Sequence, residues 1–430
     1  MAMHDAVPGP DDPHESRSYW QATMARSAPD APDLAVAADV AVIGGGLLGV
    51  STAYWLARAG ASTVLLEARS LAAGATGRNG GFMTSGTAES YPQAITRHGH
   101  TTAHAIWSLT LESRALLRRA LAEETIDCDY REPGTLHLAL GAEQQARLMQ
   151  TVAGLRADTL AAELLDRDQV QALVDTPLGP EISGGLFMPE NGLLHPARLV
   201  LGLAKAARRH GARIYEGVPV LQLETSGAGV RVRTAPGDLH AKAVVVAVNA
   251  WSDQLIPALA GTITPVRGQV LAYKPLPPLF RCGMGVAVTP TGEYWQQAPD
   301  RTIVLGGCRA AAPGADVDVR ATTTTPEVQA ALEQVFPRLF PELRGADGAH
   351  GGGALRVVRR WAGLMAFTAD GLPIADRAPG LPGVWVVGGF CGHGMPFGLR
   401  LGQLLAEGAT SGMAPASLAP FRLDRPTLSG

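Results

Sequence analysis

The sequence predicts an α/β protein of two domains, and three observations support this prediction. The chain has 430 residues, 46% of them hydrophobic, which is enough for two or three packed domains of roughly 150 residues each. A strand pattern, a glycine-rich turn, a helix pattern and a second strand pattern follow one another over residues 39–67. The 51 glycines lack the three-residue period of collagen, so they have to be explained by individual backbone positions.

Composition and charge exclude several classes of function. The formal net charge is −3 and no basic run is present, so a nucleic-acid partner is not expected. The four cysteines form no Cys-x-x-Cys pair, so neither a disulfide scaffold nor a metal site is expected, and a reducing, cytoplasmic location fits. Two uncharged stretches, 40–57 and 378–399, contain several glycines or prolines, which argues against a transmembrane segment.

Residues 39–67 have the pattern of a βαβ unit that binds a dinucleotide. After the short strand Asp39–Ile43, the segment Gly44-Gly-Gly-Leu-Leu-Gly49 matches G-x-G-x-x-G and leads into a helix that Gly60 would stop. The strand Val64–Glu67 then ends in an acid that would hold ribose hydroxyls. Gly44 would make the turn, Gly46 would admit the pyrophosphate, and Gly49 would let helix and strand pack closely. The sequence therefore predicts a Rossmann-like domain rather than a glycine-rich turn without a nucleotide.

The next segment, Ala73-Gly-Ala-Thr-Gly-Arg-Asn-Gly-Gly81, distinguishes FAD from NAD. With residues 40–67 it resembles the FAD-binding entry of the glycine oxidase, D-amino-acid oxidase and sarcosine oxidase superfamily, especially its gamma-glutamylputrescine-oxidase-like amine oxidases. The resemblance continues through 191–200 and 243–252 and through the C-terminal segments 361–363, 368–374 and 384–395. Hydrogen-bond donors of this flexible loop could reach the flavin, whereas a purely structural loop is the alternative.

The resemblance implies a Rossmann-like FAD-binding domain that is interrupted by a discontinuous α+β domain on a mostly antiparallel sheet. A helix over 105–124 is expected to pack on that sheet with its charged residues in solvent. The expected divisions are 1–35 for an extended N-terminal arm, 36–88, 191–262 and 368–415 for the FAD-binding domain, 89–190 and 263–367 for the substrate domain, and 416–430 for a C-terminal tail.

The FAD-binding residues implied by the motif and by the resemblance lie in three glycine-rich loops and beside them. They are Gly44, Gly46, Leu47, Leu48, Gly49, Glu67, Ala68, Arg69, Thr76, Gly77, Arg78, Asn79, Gly80, Gly81, Val220, Asn249, Ala250, Trp251, Gly363, Asp370, Gly389, Phe390, Cys391, Gly392, His393, Gly394 and Met395.

The family's common reaction removes a hydride from the carbon beside an amine nitrogen and gives an imine that water hydrolyses. The protein has to hold the substrate over the flavin and exclude water, without a nucleophile. Sheet packing of Tyr294 and Trp295, solvation of the arginines and a structural hydrogen bond for His393 are the alternatives to a role in catalysis. His195 is expected to cap or pack rather than to catalyse. The candidate catalytic residues are Tyr294, Arg360, Trp361, Met365 and His393.

Three departures from the family pattern narrow the expected reaction. Met365 stands where amino-acid-specific relatives place an arginine for the substrate carboxylate, so an amine or an N-substituted compound is the expected small-molecule substrate. The cysteine near Gly363 or histidine at Arg78 that attaches flavin covalently in some relatives is missing, so the FAD is expected to be non-covalent. Val304 aligns with the oxygen-activating lysine of monomeric sarcosine oxidases, which leaves oxygen or another electron acceptor open.

The leading hypothesis is therefore an FAD-dependent amine oxidase or dehydrogenase. One alternative is a D-amino-acid dehydrogenase that takes its carboxylate contact from Arg359 or Arg360. Another is a flavin-binding subunit without its own activity in a larger complex. Flavin reduction by an amine in the isolated protein would reject this last alternative.

Overall fold

The computed structural model describes residues 17–24, 34–286, 292–343 and 355–428. The strands within these ranges are β1 (Ala37–Ile43), β2 (Thr63–Glu67), β3 (Phe82–Met83), β4 (Thr135–Leu140), β5 (Glu163–Asp166), β6 (Ile182–Met188), β7 (Gly192–Leu193), β8 (Arg213–Glu216), β9 (Val220–Ser226), β10 (Gly229–Thr234), β11 (Asp238–Val246), β12 (Thr264–Tyr273), β13 (Gly283–Val286), β14 (Tyr294–Gln297), β15 (Ile303–Gly306), β16 (Val357–Phe367), β17 (Ile374–Arg377) and β18 (Val384–Gly388).

The α-helices in the same ranges are α1 (Tyr19–Ala22), α2 (Leu47–Arg58), α3 (Tyr91–His98), α4 (His100–Glu124), α5 (Ala142–Ala157), α6 (Arg167–Gln171), α7 (Pro196–Arg209), α8 (Ser252–Leu255), α9 (Pro326–Leu339) and α10 (Gly398–Ser411). Short 3₁₀ turns span Ala75–Arg78, Asn249–Trp251, Pro257–Leu259, Arg309–Ala311, Pro313–Asp316, Ala416–Phe421 and Pro426–Leu428. No described helix has the length and apolar character that crossing a membrane requires.

The first sheet has the strand order β17-β18-β11-β1-β2-β8, with the β9–β10 hairpin joined to β11. The strands from β18 to β8 run parallel. Their central parts are continuous apolar runs, because both faces of the sheet are covered there; these runs are 40–43, 64–66, 243–246 and 384–387. Helix α2 connects β1 to β2 and packs between α7 and α10 on one face. The predicted βαβ unit is confirmed.

The second sheet has the order β16-β12-β15-β14-β13-β4-β6-β5. Its strand pairs are antiparallel except for β13 with β4, so the predicted mostly antiparallel sheet is confirmed. One face packs on α9 through Trp295, Leu305 and Phe336. The opposite face, with Val270 and Val304, belongs to the same apolar cluster as α2 and α10 and is turned toward the first sheet.

Helix α4 corrects the prediction made for residues 105–124. It begins earlier, at His100, and packs mainly against α3 and α10 rather than on the second sheet. The Ser113 hydroxyl explains this docking, since it accepts hydrogen bonds from the backbone N–H groups of Leu399 and Arg400. Arg114 is buried rather than solvated, and its Nη2 pairs with Glu190 at 2.8 Å. The expected solvated face is therefore wrong at this residue.

The described residues 17–24 and 416–428 pack onto the rest of the protein. Within the predicted extended arm, α1 buries Trp20 against the rest of the protein. In the predicted tail, Phe421 and Arg425 are buried, and Arg425 forms an ion pair with Asp370. The remaining domain boundaries stay a prediction.

Candidate active site

The turn between β1 and α2 is built as the dinucleotide motif requires. Gly44 has φ +111°, and a Cβ there would lie 2.6 Å from the Ala247 carbonyl oxygen. A Cβ on Gly49 would overlap the carbonyl oxygen of Gly44, so this glycine lets α2 pack onto the turn. Gly46 is the N-cap of α2, and helix geometry leaves the first-turn N–H groups after it without helical partners. This end of α2 can hold a pyrophosphate.

Glu67 stands at the end of β2 beside the same turn. Its Oε2 accepts a hydrogen bond from the Gly45 N–H at 2.6 Å, and its Oε1 accepts one from the Arg69 N–H at 2.8 Å. Burial raises the pKa of the Glu67 carboxyl group, and the two N–H groups oppose that effect. The Val218 N–H bonds to the Glu67 carbonyl oxygen at 2.9 Å, which brings the segment before Val220 alongside Glu67. The carboxylate is thus oriented to accept further hydrogen bonds from ribose hydroxyls.

The second glycine-rich loop, residues 72–81, crosses this end of α2. The Thr76 hydroxyl accepts a hydrogen bond from the Leu47 N–H at 3.1 Å, so its own proton remains available to a ligand. The buried Arg78 donates from Nη1 to the Ala362 carbonyl oxygen at 2.8 Å and from Nε to that of Ala73 at 3.0 Å. Arg78 thereby ties the loop to β16.

Carbonyl oxygens of this loop are bonded to the second sheet. Trp361 Nε1 donates to the Arg78 carbonyl at 2.9 Å, and Gln296 Nε2 donates to those of Gly80 and Gly81. Besides these occupied carbonyls, the loop has backbone N–H groups and the Thr76 hydroxyl that can be offered to a cofactor.

The third loop follows β18 and carries residues 389–395. Gly389, Cys391 and Gly392 have φ of +74°, +51° and +81°, which lets the chain turn sharply twice. The Asn249 side chain accepts a hydrogen bond from the Gly389 N–H at 3.0 Å, and the Cys391 N–H bonds to the Ala366 carbonyl at 2.7 Å. The loop is therefore held between the Asn249 turn and β16.

His393 supplies an imidazole ring to this third loop. Its backbone N–H donates to the Phe390 carbonyl at 2.8 Å, while its ring Nδ1 is buried and has no hydrogen-bond partner among the described residues. Burial lowers the pKa of the ring, so the imidazole is neutral at neutral pH. An orphaned buried nitrogen is costly unless a ligand pairs with it.

One transverse row of the second sheet collects the substrate-side residues. The strand register places His137, Gly285, Tyr294 and Gly306 side by side, and the row continues through Val270 to Trp361. Members of such a row point to the same face of the sheet. That face is turned toward the 72–81 loop, because Trp361 bonds to the loop there.

The Tyr294 ring lies between the second sheet and the 72–81 loop. A Cβ on Gly306 would overlap its hydroxyl group, and a Cβ on Gly80 would lie 2.5 Å from its Cε2. The ring also meets Phe82 edge to face at 5.8 Å. Burial raises the pKa of the Tyr294 phenol to about 12, so it stays protonated. Trp295 points to the other face of the sheet and contacts Phe336. Of the two predicted alternatives for Trp295, packing on the sheet is therefore the one observed.

Met365 shares the site face with Gly363. Its sulfur would lie 3.4 Å from a Cβ on Gly392, which puts Met365 beside the third loop. A Cβ on Gly363 would lie 3.0 Å from Cβ of Arg78, so this glycine admits the 72–81 loop. Both residues therefore lie on the face of β16 that is turned toward the 72–81 loop.

Three other predicted residues have structural partners, and of these only Trp361 lies in the transverse row. Arg360 points toward α9, where it bonds to Gln329 at 3.0 Å and to Glu333 at 2.8 Å, so it does not share the site face. Trp361 is fully buried as a loop anchor. Asp370 is 1% exposed and its carboxylate is occupied by Arg425, so it is a structural ion-pair partner. Its pKa is about 2, because hydrogen bonds from Arg425 and Thr427 outweigh burial, the largest single influence.

Two further predicted residues have structural partners. Trp251 lies under the Arg320 guanidinium, 5.3 Å from the ring centroid, and the Ala250 carbonyl accepts a hydrogen bond from the same arginine at 2.7 Å. His195 caps α7, since its Nδ1 accepts a hydrogen bond from the Arg198 N–H. The expectation for His195 is confirmed.

Sequence reasoning missed His137 and Gln296. The half-buried His137 faces the site from β4, and burial together with the nearby His393 lowers its pKa to about 4. The sequence held one indication of His137: it is a polar residue between Leu136 and Leu138. Alternation along a strand puts it on the face opposite the two leucines. Gln296 alternates with Trp295 in the same way. Without the strand pairing, neither face could be assigned to the site.

Comparison with known proteins agrees with this geometry. The family model for FAD dependent oxidoreductases matches residues 39–408. Gamma-glutamylputrescine oxidoreductase of Escherichia coli is 30% identical over 404 residues, 91% of this chain and 88% of that protein. One of the subunits of opine oxidase from Agrobacterium tumefaciens is 25% identical, covering 90% of this chain and 97% of that protein. Glycine oxidase from Geobacillus kaustophilus has a similar structure, with a TM-score of 0.75 and 22% identity over 90% of this chain and 99% of that one.

The α2 end, Glu67 and the three glycine-rich loops together fit FAD. Their backbone donors, the Glu67 carboxylate and the orphaned His393 nitrogen match the phosphate, ribose and ring portions that such a cofactor presents. The matched family model extends over all three loops. The chain therefore belongs to the family of FAD-dependent oxidoreductases.

Proposed function

We propose that this protein oxidises the C–N bond of an amine with FAD as its hydride acceptor. The observation that carries the proposal is the transverse row that turns His137 and Tyr294 toward the 72–81 loop. Similarity to gamma-glutamylputrescine oxidoreductase supports an amine substrate. When bound, FAD would supply the acceptor for a hydride from the carbon beside the nitrogen, and water would hydrolyse the resulting imine.

The three polar side chains that face the site, His137, Tyr294 and His393, are uncharged. His137 and His393 are neutral because burial lowers both pKa values, and Tyr294 keeps its proton. Neutral groups can donate to or accept from an uncharged amine and orient its nitrogen. We assign this binding role to Tyr294, His137 and His393, and we assign water exclusion to the apolar Met365.

The same arrangement favours an amine over a simple α-amino acid. Met365 provides no charge for a carboxylate, and Arg360 is already paired with Glu333. Arg359 is exposed near the sheet edge, where it approaches the Arg17 carbonyl. A bidentate arginine contact is worth about 1.5–3 kcal/mol, so its loss would weaken amino-acid binding by tenfold or more. A D-amino-acid dehydrogenase is accordingly the less favoured alternative.

Several finer properties belong to the same proposal. Cys391 is buried and lies against Thr368 and the Gly389 carbonyl, which supports an FAD that acid would release. A cytoplasmic location is in keeping with four free cysteines in the described residues. The buried Val304 takes the place of an oxygen-activating lysine, so we propose that an acceptor other than oxygen reoxidises the flavin.

Anaerobic reduction of the flavin tests the proposal. The purified protein would be mixed with a series of polyamines, N-substituted amino acids, glycine and D-alanine while flavin absorbance is recorded. We expect bleaching by one or more amines and none by glycine. Bleaching by glycine or D-alanine alone would contradict the amine assignment. If no donor lowers the flavin absorbance, a flavin-binding subunit without its own activity is favoured. The similarity to one component of opine oxidase supports that alternative.

A further inference from the structure

We propose that residues 18–23, which we call the N-terminal latch, hold the 72–81 loop in the conformation that binds FAD. The latch acts through the loop, so Ser18, Trp20 and Gln21, which bond to the loop, are positioning residues. This inference rests on FAD binding at that loop and does not depend on which donor is oxidised.

The latch bonds to carbonyl oxygens of the loop that the second sheet does not use. Ser18 Oγ donates to the Gly77 carbonyl at 2.5 Å, and Trp20 Nε1 donates to the Asn79 carbonyl at 2.7 Å. Gln21 Nε2 donates to the carbonyls of Ala72 at 3.0 Å and Ala73 at 3.1 Å. One four-residue helix and its cap thus supply donors to four carbonyl oxygens of a loop more than fifty positions away in the sequence.

Ser18 and Gln21 bond to each other as well as to the loop, so the hydrogen bonds to the loop depend on how these two side chains are oriented. Ser18 Oγ accepts a hydrogen bond from the Gln21 N–H, and Gln21 Oε1 accepts one from the Ser18 N–H, both at 3.0 Å. This capping box orients the Ser18 hydroxyl proton and the Gln21 amide toward the loop. Ser18 is fully buried and Gln21 is 9% exposed, so losing either partner would leave a loop carbonyl unpaired away from water.

The latch is also attached to α7. The Trp20 and His195 rings meet edge to face at 4.9 Å, and Thr23 Oγ1 lies 3.0 Å from His195 Nε2. A helix of one turn is unstable alone, so its position depends on these tertiary contacts. The latch therefore connects the 72–81 loop to the N-terminal end of α7.

Loop ordering has a direct effect on cofactor affinity. A loop that is ordered before binding does not lose its conformational entropy when FAD binds. The second sheet occupies the carbonyls of Arg78, Gly80 and Gly81, and the latch bonds to those of Ala72, Ala73, Gly77 and Asn79. Removing the latch contacts would loosen the loop and weaken FAD binding, even where the domain remains folded.

Two variants and one matched control test this inference. Gln21→Ala removes the donor to the Ala72 carbonyl and one of the two donors to the Ala73 carbonyl, which keeps its bond from Arg78 Nε. Trp20→Phe removes one donor while keeping an aromatic ring. Tyr19→Phe is the control, because the Tyr19 hydroxyl bonds to Asp300 and does not touch the loop. Apoprotein would be titrated with FAD, and amide hydrogen exchange of residues 72–81 and the urea midpoint would be measured on the same samples.

We expect the Kd for FAD to rise about tenfold in Gln21→Ala and about fivefold in Trp20→Phe. Exchange of the loop amides should quicken in both, while the urea midpoint stays close to that of Tyr19→Phe. Kd values within twofold of wild type, or a lowered urea midpoint with unchanged loop exchange, would overturn the inference. No amine enters these measurements, so failure of the proposed amine oxidation would be seen separately.

Discussion

Replacement of Arg425 by methionine is expected to destabilise the protein without lowering its intrinsic affinity for FAD. The Arg425 guanidinium bonds to both carboxylate oxygens of Asp370, at 2.6 and 2.8 Å, and also to the carbonyls of Leu372 and Pro373. The two charged side chains are 6% and 1% exposed. Methionine would fill a similar volume while leaving the Asp370 charge and the carbonyls without these donors.

The magnitude follows from the pair's burial and from the pKa of Asp370. This pKa lies at about 2 instead of 3.8, so ionised Asp370 stabilises the folded state by about 2 kcal/mol at neutral pH. The unpaired backbone carbonyls add to the loss, and breaking a buried ion pair costs about 3–5 kcal/mol in comparable cases. Because the folded pKa is depressed, the contribution of Asp370 is complete above about pH 4 and disappears as the pH falls toward 2.

Urea unfolding at pH 7 and pH 3 measures this effect. We expect Arg425→Met to lose about 3–5 kcal/mol at pH 7 and less at pH 3. Arg422→Met is the matched control, since its pair with Asp424 is exposed and is worth about 1 kcal/mol or less. An Arg425→Met loss no greater than that of Arg422→Met, or the same loss at both pH values, would refute the assignment of Asp370 as an ion-pair partner.

Three further predictions concern the turn, the substrate and pH. Gly49→Ala should yield protein without flavin, because its Cβ would overlap the Gly44 carbonyl, whereas Gly154→Ala, with neighbours at 3.6 Å or more, should keep the wild-type ratio of flavin to protein absorbance. Met365→Arg should allow anaerobic bleaching by an N-substituted amino acid at concentrations at least tenfold lower than wild type, and unchanged titrations would contradict the role of this position. Burial lowers the pKa of His195 to about 4 in the folded protein, so the free energy of unfolding should fall as the pH drops from 6.5 toward 4. Urea unfolding should show a smaller fall in His195→Asn. If the free energy of unfolding falls equally with pH in both proteins, His195 is not the group that titrates.

The βαβ unit was predictable because its determinants are local. Strand, turn, helix and acid all lie within residues 39–67, and each glycine acts on atoms close to it in the chain or on the adjacent strand. Gly44 takes the positive φ that the turn needs, and Gly49 removes a Cβ from the helix contact. Short-range patterns of this kind keep their meaning in any tertiary context.

The substrate side was less predictable because strand pairing decides which side chains meet. Tyr294 and Trp295 are adjacent aromatic residues with the same signal in the sequence, yet one faces the 72–81 loop and the other faces α9. Arg360 is next to Trp361 in the sequence and was predicted as a site residue. Alternation along β16 directs its side chain to the opposite face, toward α9. The register of the sheet settles these directions, and no local pattern contains it.

Not all glycines of the cofactor loops are explained by the cofactor. A Cβ on Gly77 would overlap the Ala72 carbonyl, and one on Gly81 would overlap the Leu194 carbonyl. Protein atoms occupy the space beside these two glycines, so the loop's own packing requires them. The sequence interpretation had assigned both to the approach of a dinucleotide.

The sequence by itself determined the α/β class, the dinucleotide turn, the resemblance to FAD-dependent oxidases and the three loops that carry their glycines, since all of these depend on residue spacing along the chain. The tertiary structure decided which face His137 and Tyr294 share, that Arg425 forms an ion pair with Asp370, and how Trp20 and its neighbours reach the 72–81 loop. These outcomes depend on strand register and on contacts between distant segments, whose partners are defined only when the whole chain has packed.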